Sequence, residues 1–341
     1  MSIRKQELIS SGLVDSIKSQ YVNVPHNIPD KYFILMADYI DSISMLDKEN
    51  GLYLDPIQVA KMLPQVLTTV SESNIGGIHG ITNGKSITMS NNMDYESTKL
   101  YFFHELTHAL QTRMVNGKEE CSFYNGKTGM FLTEGATQFT AEIIYHLSNG
   151  TNIHYREQPG TVRGHSEHIP YSPLSEYQLN GNILMLMSFS LGIPINQLLA
   201  LGYRKDGREL LKQLYETFPG NEGKFEEFMM DLEKIYSIDK LIIAGKRDVF
   251  KHQPQLISMM NDAGTFYGNV EIQGQLINKV ERELAANFIA NNEPEYIIAN
   301  YQNILMYLTS PELKQDFMNA INEIINMQNT ETENYTSGYR R

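Results

Sequence analysis

Three segments at the start of the chain repeat apolar residues every three or four positions, which is the spacing of an amphipathic helix. They cover residues 1–20, 29–46 and 55–72. Pro29 and the pair Asp55-Pro56 stand where helices commonly begin, because an aspartate can cap the first turn and a proline fits into it. These three segments are therefore predicted to be helical.

The pattern changes over residues 76–90, where small or apolar residues alternate with polar ones. Alternation with a period of two is typical of β-strands. Asn83-Gly84 interrupts the alternation, and this dipeptide suits a tight hairpin turn because both of its residues tolerate a positive φ. We predict a β-hairpin in this segment.

Helical spacing returns over about residues 94–116 and again over about 128–148. Asn116-Gly117 and Asn149-Gly150 are the predicted ends, since asparagine and glycine readily adopt the left-handed conformation that closes a helix. Residues 149–175 contain prolines, glycines and histidines without periodicity, which predicts a long functional loop.

After this loop, helical patterns separated by prolines and glycines continue to about residue 328. The chain is therefore predicted to be a mainly α (α+β) protein with a small β-hairpin or sheet. We expect a catalytic domain over residues 1–190, a helical C-terminal subdomain over 191–328, and a frayed polar tail over 329–341.

The charge and the cysteine count exclude several classes of function. The chain has 28 basic and 40 acidic residues, and no segment concentrates the basic ones, so a nucleic-acid partner is not expected. The single cysteine, Cys121, has no partner for an internal disulfide or a cysteine-based metal site. Because the sequence also shows neither an apolar signal segment nor a run long enough to span a bilayer, we expect a cytoplasmic location, with export by a route that needs no signal segment as the alternative.

The sequence His104-Glu105-Leu106-Thr107-His108 is an HExxH pattern within the helix predicted at 94–116. Two histidines four positions apart lie one above the other on one helical face, so both imidazoles can bind one metal ion. Glu105 then lies close enough to a water molecule activated by the metal to take its proton. This arrangement predicts a metal-dependent hydrolase.

A catalytic zinc ion commonly has three protein ligands and an open position. The extended pattern HExxHxxGxxH is absent, because Gln111 and Met114 occupy the positions of its glycine and third histidine. The following helix offers Glu134 and Glu142, which share one face with Gln138 between them. Helical geometry alone therefore leaves both glutamates open as the third ligand.

The combination of HExxH with Thr133-Glu134-Gly135-Ala136 on the next helix resembles the gluzincins, the zinc metallopeptidases of the thermolysin and aminopeptidase type. The resemblance covers about residues 75–147 and implies a zincin-like catalytic fold. It implies that Zn²⁺ is the cofactor, that His104, His108 and Glu134 are its ligands, and that Glu105 is the general base.

Two positions depart from the pattern of the family. Thr133 stands where asparagine is common, and Gln138 stands where thermolysin-like members have an aspartate that orients a ligand histidine. Gln138 can still accept a hydrogen bond from an imidazole through its carbonyl oxygen. Zincins also place an edge strand beside the active-site helix, and here Lys85–Ser90 or Gly76–Ile81 would be that strand.

The expected function is zinc-dependent hydrolysis of peptide bonds in a peptide or protein substrate. An endopeptidase is favoured, because no exopeptidase motif such as GxMEN precedes His104. Tyr177, or otherwise Tyr171, is the candidate donor to the oxyanion of the tetrahedral intermediate. The alternative is a non-catalytic metal-binding or helical interaction protein that retains the HExxH site. The sequence does not indicate an oligomeric state.

Overall fold

The computed structural model describes residues 3–50, 55–75, 78–115, 118–124, 128–150, 178–193, 195, 198–199, 202, 211–212, 215–216, 222–251 and 256–338. This part of the chain is mostly helical, as the sequence predicts. Its helices are α1 (Ile3–Ser10), α2 (Leu13–Gln20), α3 (Asp30–Asn50), α4 (Pro56–Val66), α5 (Tyr95–Gln111), α6 (Met130–Ser148), α7 (Gln178–Leu191), α8 (Glu222–Lys251), α9 (Leu256–Asn291), α10 (Pro294–Tyr307) and α11 (Pro311–Gly338). Its strands are β1 (Thr69–Ser73), β2 (Gly80–Asn83), β3 (Ser86–Ser90), β4 (Thr112–Val115) and β5 (Lys118–Cys121).

The predicted hairpin is confirmed as the antiparallel pair of β2 and β3. Its two-residue loop is Gly84-Lys85 rather than Asn83-Gly84, and Gly84 has a φ of 56°. The loop lies one residue later than predicted because Asn83 still pairs with Ser86. Only one residue with positive φ is then needed, and glycine meets that need without steric cost.

The first strand, β1, corrects the predicted helix 55–72, which ends in the structure at Val66. β1 pairs in parallel with β3, and the strand order of the sheet is β1-β3-β2. Val70 and Ile87 are paired and buried. A β-branched residue packs well in such a half-buried strand, and its contact with a strand seventeen residues away leaves no trace in a local helical period.

Helix α5 begins after Asp94, whose Oδ1 accepts a hydrogen bond from the backbone N–H of Ser97 at 2.7 Å. It ends at Gln111 rather than at residue 116, so the predicted span of the HExxH helix is too long at its C-terminal end. Residues 112–115 form β4 instead and pair with β5. The strand pairing supplies the backbone hydrogen bonds that a further helical turn would have made.

The helix with the candidate third ligands, α6, runs from Met130 to Ser148, close to the prediction. Its first turn has backbone N–H groups without intrahelical acceptors, as every helix does. Glu233 of α8 accepts hydrogen bonds from the N–H of Gly129 at 2.7 Å and from that of Phe131 at 3.4 Å. A carboxylate in this position also compensates the positive end of the helix dipole.

Asp38 of α3 is 3% exposed and connects several helices. It accepts hydrogen bonds from Arg4 Nε at 3.0 Å and from Ser148 Oγ at 2.6 Å, and it lies 2.8 Å from Lys99 Nζ. Lys99 is on α5, five residues before His104. This buried cluster ties α1, α3 and α6 to the helix that carries the HExxH pattern.

Prolines end or begin the later helices as predicted, since α10 starts at Pro294 and α11 at Pro311. The predicted fraying of the tail is wrong for residues 329–338, because α11 continues to Gly338. Extending an existing helix adds one hydrogen bond per residue without a new nucleation cost, so a polar sequence can continue it.

The contacts between Cα atoms divide the described residues into two compact units. The first lies within the ranges Met1–Lys127, Thr133–Ser166 and Asn196–Glu209, and the second lies within Thr128–Leu132, Glu167–Ile195 and Leu210–Arg341. The functional division predicted after residue 190 stays a prediction. Among the described helices, none combines the length and the apolar character that crossing a bilayer requires.

Candidate metal centre

The two histidines of the HExxH pattern lie on the same face of α5, one turn apart. Their Nε2 atoms are 3.1 Å from each other, and their ring planes meet at 77°. His104 is 5% exposed, and His108 is also largely shielded from water. Both nitrogens therefore point toward one small volume.

Glu134 of α6 brings a carboxylate to the same volume. Its Oε2 lies 3.5 Å from His104 Nε2 and 3.4 Å from His108 Nε2. These three atoms form the one group in the described part of the chain that has the ligand types and spacing of a metal site. Among the described residues Glu134 Oε2 is buried and has no hydrogen-bond partner, so a cation between the three atoms would satisfy it.

The spacing of the three atoms fits a small tetrahedral ion. Zinc binds imidazole nitrogen and carboxylate oxygen at about 2.0–2.2 Å, and tetrahedral geometry then separates two ligand atoms by about 3.3–3.5 Å. The separations of 3.1, 3.4 and 3.5 Å are close to this range. The donor set of two imidazoles and one carboxylate also leaves a fourth position open.

The electrostatics of the site reflect the close approach of these groups. Burial by itself raises the pKa of the Glu134 carboxyl, but the facing imidazoles of His108 and His104 hold this pKa well below its ordinary value. Burial likewise lowers the pKa of His108, and the Glu134 carboxylate overcomes this and raises the pKa well above the ordinary value. The pocket therefore favours a positive charge beside Glu134.

The structure distinguishes the two glutamates that the sequence left open. Glu134 meets both histidines, whereas Glu142 accepts a hydrogen bond from Gln138 Nε2 at 2.6 Å. Gln138 Oε1 in turn lies 2.8 Å from His104 Nδ1. The expectation that Gln138 accepts a hydrogen bond from an imidazole thus agrees with the geometry. Glu142 contacts Gln138 on the side away from His104.

His108 has different neighbours at its second ring nitrogen. Thr137 Oγ1 lies 3.4 Å from His108 Nδ1, and Cys121 Sγ lies 3.7 Å from the same atom. Cys121 ends β5 and pairs with Thr112, the first residue of β4 and the residue directly after α5, which explains its position beside His108. The sequence did not predict this neighbourhood, because it depends on the pairing of β4 with β5.

Glu105, the candidate general base, lies beside strand β2. Its side chain is largely buried, and its Oε2 accepts a hydrogen bond from Thr82 Oγ1 at 2.6 Å. Gly80 of the same strand leaves room for the Glu105 side chain, since a Cβ atom at Gly80 would stand 2.6 Å from Glu105 Cγ. β2 is therefore the strand beside the HExxH helix, and among the strands that the structure describes it pairs only with β3.

The predicted strand beside the helix was either Lys85–Ser90 or Gly76–Ile81. The structure puts the central strand β3 in the first segment and part of the edge strand β2 in the second. Thr82 carries the contact with Glu105 and was not among the predicted site residues. The alternation of residues 80–83 was the available signal, because Gly80 and Thr82 share one face of the strand.

Tyr177 and Tyr171, the predicted donors to the oxyanion, lie outside the described residues, and so does most of the predicted loop 149–175. Their role stays a prediction. Comparisons of this chain with protein families, with curated proteins and with solved structures find no match.

Proposed function

We propose that this protein is a zinc-dependent endopeptidase with a gluzincin-like site. The observation that carries the proposal is the convergence of His104 Nε2, His108 Nε2 and Glu134 Oε2 at mutual distances of 3.1–3.5 Å. Glu105, the residue next to the first histidine, belongs to the same helix. Two proposed ligands and the proposed base thus occur together in the HExxH pattern of α5, and α6 supplies the third ligand.

The donor set supports zinc as the cofactor. Two imidazole nitrogens and one carboxylate oxygen are the ligands of catalytic zinc in many peptidases, and hard ions such as Mg²⁺ favour sites made only of oxygen. When bound, zinc polarises a carbonyl group and makes a water molecule acidic near neutral pH. His104, His108 and Glu134 are the residues that would hold it.

Glu105 supplies the acid–base chemistry in this proposal. Its carboxylate takes a proton from the attacking water, whose oxygen forms a bond to the scissile carbonyl carbon. The same proton then passes to the amide nitrogen as the bond between carbon and nitrogen breaks. The products are a carboxylic acid and an amine, and Glu105 returns to its ionised form.

The edge strand β2 supports a peptide as the substrate. Its backbone pairs with β3 on one side, and Gly80 and Thr82 put it against Glu105. An extended peptide can add to such an edge through main-chain hydrogen bonds, which bind it largely independently of its sequence. A substrate that pairs with β2 through the middle of its own chain would be cleaved internally, so this mode of binding favours endopeptidase activity. The absence of an exopeptidase motif agrees with this.

The ligand assignment is tested by metal analysis of the purified wild type and of Glu134→Ala. We expect one zinc per chain in the wild type and less than stoichiometric zinc in the variant, because two imidazoles alone bind zinc weakly. Glu96→Ala, which changes an exposed glutamate of α5, is the matched control and should keep the zinc. A wild type without zinc after reconstitution would end the peptidase proposal.

The catalytic assignment is tested with Glu105→Gln. We expect this variant to keep its zinc and to cleave denatured casein or a quenched fluorescent peptide library about 10²–10⁴ times more slowly than the wild type, because Gln cannot accept the proton. Glu96→Gln is the control on the same helix. Zinc binding without cleavage that depends on Glu105 would identify a metal-binding protein and not a peptidase.

A further inference from the structure

We infer that Gln138 and Glu142 form a relay that fixes the ring of His104 with an unprotonated Nε2 facing the proposed metal site. The inference rests on the proposed metal site and explains how it is organised. The relay consists of two short contacts, 2.8 Å from His104 Nδ1 to Gln138 Oε1 and 2.6 Å from Gln138 Nε2 to Glu142 Oε1. Gln138 and Glu142 are positioning residues in this scheme.

Glu142 sets the orientation of the Gln138 amide. Glu142 Oε1 accepts the hydrogen bond from Gln138 Nε2, so the amide group of Gln138 presents its NH₂ to Glu142. The amide oxygen then faces His104. The reversed orientation would bring oxygen against oxygen at one end of the amide, and it is therefore disfavoured.

The amide oxygen in turn sets the tautomer of His104. Because Gln138 Oε1 only accepts, the proton of the neutral imidazole lies on Nδ1 and the lone pair on Nε2. Nε2 is the atom that faces Glu134 Oε2 and His108 Nε2. Glu142, eight residues after the proposed ligand Glu134, thus orients the ring of the proposed ligand His104 through Gln138.

Burial makes the relay effective. Gln138 and Glu142 are each 7% exposed, and they stand four residues apart on the same face of α6 as Glu134. A buried polar group that loses its partner is unfavourable, so each contact resists being exchanged for water. One helix therefore supplies both a proposed ligand and the groups that orient a second one.

The other histidine is held differently. The contacts of His108 Nδ1 with Thr137 Oγ1 and Cys121 Sγ are 3.4 and 3.7 Å long. The Thr137 hydroxyl donates to Gln111 Oε1 at 3.2 Å and the Cys121 thiol to the His108 carbonyl oxygen at 3.7 Å, so at His108 Nδ1 both atoms serve only as acceptors over longer distances than the amide of Gln138. The relay thus gives the stronger constraint to His104.

Zinc affinity measured by competition with a chromophoric chelator tests the relay. We expect Gln138→Leu to bind zinc about 10–100 times more weakly than the wild type, the range that is typical when a partner of a ligand histidine is lost. Glu142→Leu should weaken binding in the same direction, since the freed amide can turn. Thr140→Val, a buried change on α6 away from this face, is the control.

The exchange variant Gln138→Glu/Glu142→Gln is the sharpest comparison. It puts a carboxylate against His104 Nδ1 and an amide donor behind it, so the bond from His104 can form again in the same direction and the bond between residues 138 and 142 can form with donor and acceptor exchanged. We expect it to recover most of the zinc affinity that Gln138→Leu loses. A variant that folds but binds zinc no better than Gln138→Leu would contradict the relay.

The tautomer itself can be read without metal. In the zinc-free protein with ¹⁵N-labelled histidine at alkaline pH, we expect the His104 ring to carry its proton on Nδ1, and Gln138→Leu to shift its signals toward a mixture of tautomers. A proton on Nε2 in the wild type would overturn the relay. If the wild type binds no zinc, the peptidase proposal fails, while this spectrum still decides on the relay.

Discussion

Gly80 has no side chain, and the space beside it is occupied by the side chain of Glu105. A Cβ atom there would stand 2.6 Å from Glu105 Cγ and 2.9 Å from Glu105 Oε1. We expect Gly80→Ala to displace the Glu105 carboxylate and to lower kcat about a hundredfold, the loss typical of a misplaced reacting group, with zinc content unchanged. The measurement is peptide hydrolysis beside metal analysis.

Gly274 of α9 provides the control for this substitution. A Cβ atom at Gly274 meets nothing within 4 Å, so Gly274→Ala should leave kcat unchanged. If Gly80→Ala were as active as Gly274→Ala, the contact between β2 and Glu105 would have no part in the reaction.

Thr82 donates to Glu105 Oε2 at 2.6 Å and is the neighbour that orients this carboxylate. Thr82→Val keeps the shape and the strand preference of the side chain but removes the donor. We expect kcat to fall about tenfold, because a hydrogen bond to a charged group is worth about 1.5–3 kcal/mol and part of this is recovered by water. Thr82→Ser keeps the hydroxyl and should retain most of the activity.

Comparing kcat with KM distinguishes positioning from a general loss of structure. A misoriented base lowers kcat at constant KM, whereas a disturbed strand also raises KM. Equal activity of the valine and serine variants would show that the hydroxyl of Thr82 does not orient Glu105.

At the residue scale, the sequence was informative where helical geometry decides the outcome. The spacing of His104 and His108 puts both on one face of a helix, and the structure shows them together. Glu134 and Glu142 share a face as well, so only the crossing of α5 and α6 distinguishes them. The contact of Thr82 with Glu105 spans 23 residues, and no local pattern contains it.

At the element scale, the sequence predicted most helices but not the strands that pair with distant partners. Residues 69–72 fit a helical period, yet they pair with β3, and the backbone N–H groups of Thr69 and Val70 donate to the carbonyl oxygens of Lys85 and Asn27. Residues 112–115 likewise continue the apolar spacing of α5 but form β4. In both segments tertiary pairing overrides a weak local preference.

The junction before α11 carries a buried carboxyl group whose ionisation should affect stability. Glu281 of α9 is 1% exposed, and its Oε2 accepts hydrogen bonds from Thr309 N at 2.8 Å and Thr309 Oγ1 at 3.1 Å. Burial raises the pKa of Glu281 from 4.5 to about 7, although the hydrogen bonds from Thr309 act in the opposite direction. The folded state therefore binds this proton more tightly than the unfolded chain.

The sign of the pH dependence follows from this shift. The contribution of Glu281 to stability is fully present below about pH 4.5 and is lost as the pH rises through about 7, a change of about 3 kcal/mol. Glu281→Gln stays neutral, so we expect its free energy of unfolding in urea to fall less between about pH 5 and about pH 8.5 than that of the wild type. If the free energy of unfolding fell equally with pH in the wild type and in Glu281→Gln, the raised pKa of Glu281 would be refuted.

At the scale of the whole molecule, the composition excludes classes of function but does not identify one. The net charge of −12 argued against nucleic acid, and the helical pattern gave the mainly α class that the structure shows. No pattern in the sequence indicates that each compact unit is built from separate stretches of the chain. Such interleaving depends on contacts between segments far apart, which a period of three or four residues does not encode.

The proposed metal ligands and Glu105 all belong to the first unit. Within this unit, Asp38 contacts Arg4, Lys99 and Ser148, which are far apart in the sequence. The HExxH helix is thus part of a network that reaches the N-terminal helix through Lys99 and Asp38.

This cluster also constrains the order of events during synthesis. Ser148 follows Asp38 by 110 residues, so a ribosome working at roughly 5–20 residues per second delivers it roughly 5–20 s later. Until then α3 carries a carboxylate whose partners are incomplete, and burying it early would be unfavourable. Helix α5, which carries the HExxH histidines, therefore reaches its final packing only after α6 has left the ribosome, and the nascent chain must remain unaggregated for that interval.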